Sequence, residues 1–255
     1  MTRDSEVIRV ALVTGAGTGI GRAASIALAE MGHMVVLVGR RLGPLEEVAG
    51  FLTSRGMRSL VIVADVANEQ SIHDLFSRVQ SQFGRLDLLF NNAGIAARPV
   101  PLEELAPSEW RAVIDVNLNG AFLCTREAIR IMKQQRPRGG RIINNGSLSA
   151  HTPRANSAPY TASKHAISGL TKAVALEGRP FDIACGQIDI GNAATAMGSQ
   201  VQQGALQSNG STAVEPTLEL SHVAEAVRYM ASLPLNANVL SLTVMATQMP
   251  FVGRG

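Results

Sequence analysis

Tyr160 and Lys164 stand four residues apart, and Ser147 lies thirteen residues upstream of the tyrosine. In an α-helix, positions i and i+4 share a face, so the phenol and the ammonium can reach one ligand together. A free tyrosine has a pKa of about 10 and is a poor acid-base group near neutral pH. A cation about 5 Å away, at an effective dielectric of about 20, favours an ionised phenol by roughly 3 kcal/mol, which brings proton exchange toward the physiological range. The same spacing also describes a helix with an exposed tyrosine and lysine. The rest of the chain must therefore supply something for the pair to act on.

The beginning of the chain does so. The apolar run from Val7 to Val13 reads as a buried strand. It leads into Thr14-Gly15-Ala16-Gly17-Thr18-Gly19-Ile20-Gly21, followed by a helical pattern from Arg22 to Met31. Glycines let a backbone turn sharply beside a pyrophosphate, while the free amides and positive dipole end of a helix attract its charge. A glycine-rich match alone describes a structural turn equally well. The preceding strand and following helix favour a dinucleotide held by Gly15, Gly17, Thr18, Gly19, Ile20 and Gly21. An acidic residue after the second strand would bond the ribose 2'-hydroxyl and repel a 2'-phosphate. Here Val38-Gly39-Arg40-Arg41 offers no carboxylate, and two guanidiniums can contact phosphate. The expectation is NADP(H), with Arg40 the first contact and Arg41 the second, and NAD(H) as the lesser cofactor; the other reading makes both arginines a solvated helix entry.

Further motifs follow in order. Asn91-Asn92-Ala93-Gly94 comes after the strand Leu86 to Phe90, and Asn117 lies within Asp115-Val116-Asn117-Leu118-Asn119-Gly120. With the glycine turn and the Ser147, Tyr160, Lys164 set, the chain from Val7 to Thr195 resembles the short-chain dehydrogenase/reductase family, in its subgroup of about this chain's length. The resemblance implies a Rossmann-like fold, a nicotinamide cofactor and the catalytic tetrad Asn117, Ser147, Tyr160 and Lys164. Tyr160 then exchanges a proton with a substrate carbonyl or alcohol oxygen. Ser147 donates to that oxygen, Lys164 lowers the phenol pKa and bonds the nicotinamide ribose, and Asn117 holds a water that links Lys164 to solvent. It also implies cofactor contacts at Asp65, Val66, Asn91, Ala93, Gly94, Tyr160, Lys164, Ile190 and Thr195. For Asp65 a helix N-cap near Asn68 is the competing role. One position departs from the family: Ile190 replaces the usual proline of Pro-Gly-x-x-x-Thr, while Gly191 and Thr195 are kept. An isoleucine keeps an amide there and changes the φ preference.

Composition bounds the rest. A chain of 255 residues that is 46% hydrophobic can bury one large core. Strand candidates at Met34 to Val38, Ser59 to Ala64, Leu86 to Phe90, Arg141 to Asn145, Ile183 to Ile188 and Val239 to Met245 alternate with amphipathic helices. That rhythm predicts a single α/β domain over 1–255, a doubly wound, mostly parallel seven-stranded sheet with ligands at the carboxyl ends of its strands. No apolar run nears the ~18 residues of a membrane span, and Met1 to Glu6 is polar, so the expectation is a soluble, cytoplasmic protein. Cys124 and Cys185 read as reduced, partly buried thiols. The five histidines, His33, His73, His151, His165 and His222, show no paired ligand spacing, and no metal is expected. A net charge of +3, a pI near 9.2 and 4% aromatic residues disfavour nucleic-acid binding.

From Gly191 to Val214 no residue is charged. A segment around 190–217 reads either as a substrate lid or as an ordinary surface loop. Arg98 and Arg154 are candidates for anion recognition, against a solvated role for each; His151 and Asn156 are candidates for polar contacts. The apolar tail Met249-Pro250-Phe251-Val252 must fold back or cover another subunit; the resemblance implies a homotetramer or homodimer, with this tail and the helices around Asn117 and Lys164 as its contacts. The function these features describe is interconversion of a small-molecule carbonyl and a secondary alcohol. A narrower version is a 3-oxoacyl thioester reductase. A non-catalytic NADP(H)-binding regulator or scaffold needs no such tetrad, and an epimerase or dehydratase normally needs more than the 60 residues after Thr195.

Overall fold

Apolar residues run almost unbroken along the strands and in one stripe on each helix, so every strand has two faces to cover and every helix one. The computed structural model describes residues 8–195, 204–207 and 209–252. Seven parallel strands form one sheet: β1 (Val10–Thr14), β2 (Met34–Gly39), β3 (Ser59–Val63), β4 (Leu88–Asn91), β5 (Gly140–Asn145), β6 (Ile183–Ile190) and β9 (Ser241–Val244), in the order β3-β2-β1-β4-β5-β6-β9. The connecting helices are α1 (Gly19–Glu30), α2 (Leu42–Ser54), α3 (Glu69–Phe83), α4 (Pro107–Ile114), α5 (Gly120–Gln134), α6 (Ala158–Glu177) and α7 (Leu220–Ser232). Two short strands, β7 (Ala205–Leu206) and β8 (Thr212–Ala213), make an antiparallel hairpin apart from the sheet.

Strand alternation divides the core in two. Val10 and Leu12 of β1 join a cluster with Ile72 and Leu75 of α3, Ala128 of α5 and Val174 of α6. Ala11 and Val13 join a second cluster with Leu28 of α1, Val48 of α2 and Val227 of α7. The sheet is thus covered on both faces, as the near-continuous apolar strands require. Strand order reverses between β1 and β4, whose neighbours lie in opposite directions. Chain from both strands must leave the sheet there, which opens a crevice at their carboxyl ends.

The predicted strands appear with small shifts. Helix α1 starts at Gly19 rather than Arg22, and β6 runs to Ile190, beyond the expected Ile188. Ile190 stays in register with Val244, and the Gly191 amide donates to the Val244 carbonyl at 2.8 Å. Asn117, expected within a regular helix, sits instead in a π-helical turn, Asp115–Asn119, between α4 and α5. Val7 and residues 196–203 and 208 of the expected lid lie outside the described residues. Both cysteines are buried and free, and burial pushes their thiols up to about 12. Among the described residues no helix is long and apolar enough to cross a membrane.

Candidate active site

The carboxyl ends of β1, β4, β5 and β6 converge on one rim. Three of them are tied directly by side chains. The Thr14 hydroxyl at the end of β1 accepts from the amides of Asn92 and Ala93, both at 3.0 Å. The Asn92 amide donates to the Thr14 carbonyl at 2.9 Å, and its oxygen accepts from Asn145, at the end of β5, at 2.9 Å. Asn91 turns inward, is 6% exposed, and donates to Thr125 and Asn144, both at 2.9 Å. Its amide nitrogen therefore braces the interior, while its buried Oδ1 has no partner among the described residues. Ala93 likewise spends its amide on Thr14.

The glycine turn fits a pyrophosphate. Gly19 adopts φ +52°, in the region that side chains disfavour, and begins α1. A side chain at Gly21 would strike the Gly15 carbonyl and the Asn92 amide, so the turn and helix approach as closely as backbone allows. Gly17 packs against Pro44, and the Ala16 amide donates to Val38 of β2 at 3.0 Å. Thr18, at the N-cap, makes no side-chain capping bond, and the first turn of α1 has no acidic residue. The opening amides of α1 are thus available to an anion instead of being satisfied by a cap. Thr195 lies against Gly19, its methyl 3.1 Å from where a β-carbon would stand. Arg40 and Arg41, between β2 and α2, are exposed and have no ion pair or side-chain hydrogen bond with the described residues. Asp65 forms a local turn with the Ala67 amide at 3.0 Å through one oxygen, while Asn68 caps α3 by accepting from Ser71 at 2.9 Å. The capping role considered for Asp65 therefore belongs to Asn68. Val66 is buried against Gly120. Gly94 lies beside Asn117, whose oxygen would be 3.5 Å from a β-carbon there.

A cavity of about 640 Å³ opens beside this turn. Ser147 and Tyr160 share its wall with Ile20, Ile190 and Thr195. Tyr160 is in the first turn of α6, and its hydroxyl bonds nothing among the described residues. Lys164, one turn on, donates to the Asn145 carbonyl at 2.6 Å, and its nitrogen lies 5.4 Å from the Tyr160 ring centre. Ser147 ends the turn after β5 and accepts from the Ser149 amide at 3.1 Å. Asn117 clamps Ile95 from both sides, accepting from its amide at 2.8 Å and donating to its carbonyl at 3.0 Å. It also donates to Ser163 on α6 at 3.2 Å. The four expected catalytic residues thus come together on three connected elements.

The decisive comparison is with known sequences: the short chain dehydrogenase profile matches residues 9–205. The chain belongs to the short-chain dehydrogenase family. It is 41% identical over 180 residues to a 3beta-hydroxysteroid dehydrogenase of Mediterraneibacter gnavus, covering 71% of this chain and 64% of that one. An alcohol dehydrogenase of Thermococcus sibiricus, solved with 5-hydroxy-NADP, superposes with a TM-score of 0.82 at 25% identity, over 95% of this chain and 98% of that one. A 3-ketoacyl-(acyl-carrier-protein) reductase of Brucella melitensis, solved with NADH, gives 0.83 at 29% identity, over 94% and 98%.

Two carboxylates were missed in the sequence. Asp189 of β6 is fully buried. One oxygen accepts from the Ser147 amide at 2.9 Å and Gln187 at 2.6 Å, and the other from the His151 ring at 3.0 Å. Its close approach is possible because residue 146 is glycine: a β-carbon there would collide with the carboxylate. A charge inside an otherwise apolar strand was the available signal. Glu215, the first charged residue after the uncharged stretch, is buried and pairs with Arg154 at 2.5 and 3.0 Å. Burial alone would raise its pKa. Hydrogen bonds from Arg154, Gln207 and Asn192 outweigh burial and hold the carboxyl at about 2. Arg98 takes the solvated role, 64% exposed and bound to Glu109 at 2.8 Å, whereas Arg154 does line the cavity but is paired with Glu215. His151 is turned to Asp189, whereas Asn156 does line the cavity. Met249 folds back to line the cavity, while Val252 stays 82% exposed.

Replacing Asp189 by Ala removes the acceptor shared by the Ser147 amide and Gln187 and leaves buried donors without a partner. The expected cost is about 1–3 kcal/mol of stability, read from urea unfolding. An unchanged midpoint would mean that the carboxylate does not hold Ser147.

Proposed function

We propose that this protein is an NADP(H)-dependent oxidoreductase that interconverts a carbonyl and a secondary alcohol, with Tyr160 as the acid-base group. The reading is carried by one observation: Ser147 and Tyr160, whose hydroxyl has no partner among the described residues, line the same cavity as Ile20 of the glycine turn. A nicotinamide bound along that turn would supply or accept the hydride. Gly15, Gly17, Thr18, Gly19 and Gly21 provide the pyrophosphate cradle, with Thr195 above it. Asp65 and Val66 serve the adenine end, and main-chain groups of Asn91, Ala93, Gly94 and Ile190 complete the binding groove.

In the reducing direction Tyr160 releases its proton to the carbonyl oxygen as charge develops there. Ser147 donates a hydrogen bond to the same oxygen and holds it in line; its main chain is fixed by Asp189. Lys164 stabilises the tyrosinate left behind and is held in place by the Asn145 carbonyl. Asn117 acts through the π turn, where one extra residue disturbs the carbonyl ladder and makes room for a relay water. In oxidation each transfer reverses.

NADP(H) is favoured by the exposed guanidiniums of Arg40 and Arg41, which have no partner among the described residues, and by the lack of a carboxylate in Val38-Gly39-Arg40-Arg41. The Thermococcus enzyme was solved with an NADP derivative and the Brucella enzyme with NADH. A cytoplasmic setting agrees with two buried, unpaired cysteines. A homodimer or homotetramer is supported by exposed Phe122 on α5 and Leu176 on α6, at 48% and 60%.

A panel of ketones, aldehydes, secondary alcohols and 3-oxoacyl thioesters, followed by NADPH absorbance, should reveal turnover of at least one neutral ketone. Tyr160→Phe should reduce it by about three orders of magnitude or more while NADPH binding survives. Binding without turnover in the wild type would instead favour a regulator, and a Tyr160→Phe variant that kept most activity would sink the acid-base role. Steady-state kinetics should give a higher kcat/KM with NADPH than with NADH, and Arg40→Ala should erode that ratio by about tenfold. A preference for NADH would overturn the assignment. Light scattering at micromolar protein should report two or four chains per particle; a monomer would contradict the interface.

A further inference from the structure

The cavity beside Tyr160 is lined by a single charged side chain among the described residues, Arg154. The uncharged stretch Gly191 to Val214 adds none from sequence. An arginine in such a wall is ordinarily a fork for a substrate carboxylate. Here the fork is filled from within. Nη1 and Nη2 of Arg154 donate to the two oxygens of Glu215 at 3.0 and 2.5 Å, and Nη2 also reaches the Asn192 oxygen at 3.0 Å. Asn192 and Gln207 each donate to Glu215, at 2.8 and 3.0 Å. The Glu215 side chain is 1% exposed and that of Arg154 22%, so the carboxylate is sealed behind a guanidinium that still borders the cavity.

We propose that Glu215 is a built-in counterion that occupies the carboxylate-binding fork of Arg154, so that the cavity selects neutral carbonyl and alcohol substrates over carboxylate-bearing ones. A substrate carboxylate entering beside Arg154 would meet a cation already paired bidentately and a second negative charge directly behind it. It would lose its hydration without gaining a free partner. A neutral substrate loses nothing comparable and rests on the apolar part of the wall, formed by Ala96, Leu148, Ile190, Leu206 and Met249. The same pair joins the segment before α6 to the chain after β8, so it shapes the cavity as well as its charge. This inference rests on the carbonyl-alcohol reading above.

The test compares 4-oxocyclohexanecarboxylate with its methyl ester, which differ at one end only in charge and a methyl group. Wild type should prefer the ester in kcat/KM. In Glu215→Gln the guanidinium keeps a hydrogen-bonding neighbour but loses its counterion, and the acid-to-ester ratio should rise at least about tenfold. The rise should shrink between low and high salt, because it comes from an uncompensated charge. The double variant Arg154→Gln with Glu215→Gln, in which both charges are gone, should return to ester preference. A wild type that prefers the acid overturns the proposal. So does a Glu215→Gln enzyme in which both compounds decline together at a constant ratio, since the pair would then only brace the fold. Should Glu215→Gln fail to fold, Arg154→Gln carries the test: exposing the cavity to an unpaired carboxylate, it should lower the acid-to-ester ratio below wild type, and an unchanged or higher ratio overturns the idea. The same ratios are read from dissociation constants of the two ketones in the non-reacting NADP⁺ complex, by titration calorimetry. If no ketone is reduced at all the carbonyl reading falls, while those binding ratios still decide whether Glu215 is a counterion.

Discussion

The hydroxyl of Thr14 holds the molecule's functional rim together. β1 and β4 pair in the sheet as far as Val13 and Phe90; beyond that point, where strand order reverses, their chains turn away from each other. Thr14 takes two amides of the β4 exit at once, and Asn92 returns bonds to Thr14 and to the end of β5. The chain after β1 is thereby fixed against the chain after β4, and Ile20 and Ser147 line one cavity. Buried polar bonds of this kind contribute only about 1 kcal/mol each, yet breaking one strands a partner at greater cost. Their value is alignment more than adhesion.

Two buried carboxylates then divide the labour around the cavity. Asp189 reaches under Ser147 by way of a glycine and has no place in the wall itself. Glu215 stands behind Arg154 and gives the wall its electrostatic neutrality. Both are surrounded by donors, which is the condition under which an interior charge is tolerable. The first sets where a hydroxyl points; the second sets what kind of molecule can lie beside it.

Most of the fold was legible because strand alternation and helix stripes are local signals, and the motifs carry their own punctuation in Gly15 to Gly21 and Tyr160 to Lys164. Ser147 and Tyr160 meet at one cavity because the first follows a strand end and the second opens a helix, and both positions are readable along the chain. The meeting of Arg154 with Glu215 is not, because that pair spans 61 positions and depends on how the chain after β6 returns to the sheet. The same limit applies to Asn117. Its residue type marks it as a poor helix former, but only the packing of α4 against α6 shows that an extra residue is accommodated there as a π turn. Ile190 was recognisable as a departure from the family; that the strand runs on to it depends on its pairing with Val244 of β9, which lies far off in the chain.

The bare first turn of α1 carries a consequence for the protein's life in solution. A helix that begins without a side-chain cap or an acidic residue leaves its opening amides to water, so the element is finished only by an anion brought from outside. Such a ligand binds the folded chain and not the unfolded one, and the folded population must then rise with the logarithm of its concentration. The dinucleotide would thus be a structural component supplied by metabolism, and the amount of intact enzyme would follow the size of the cofactor pool as well as the rate of its synthesis.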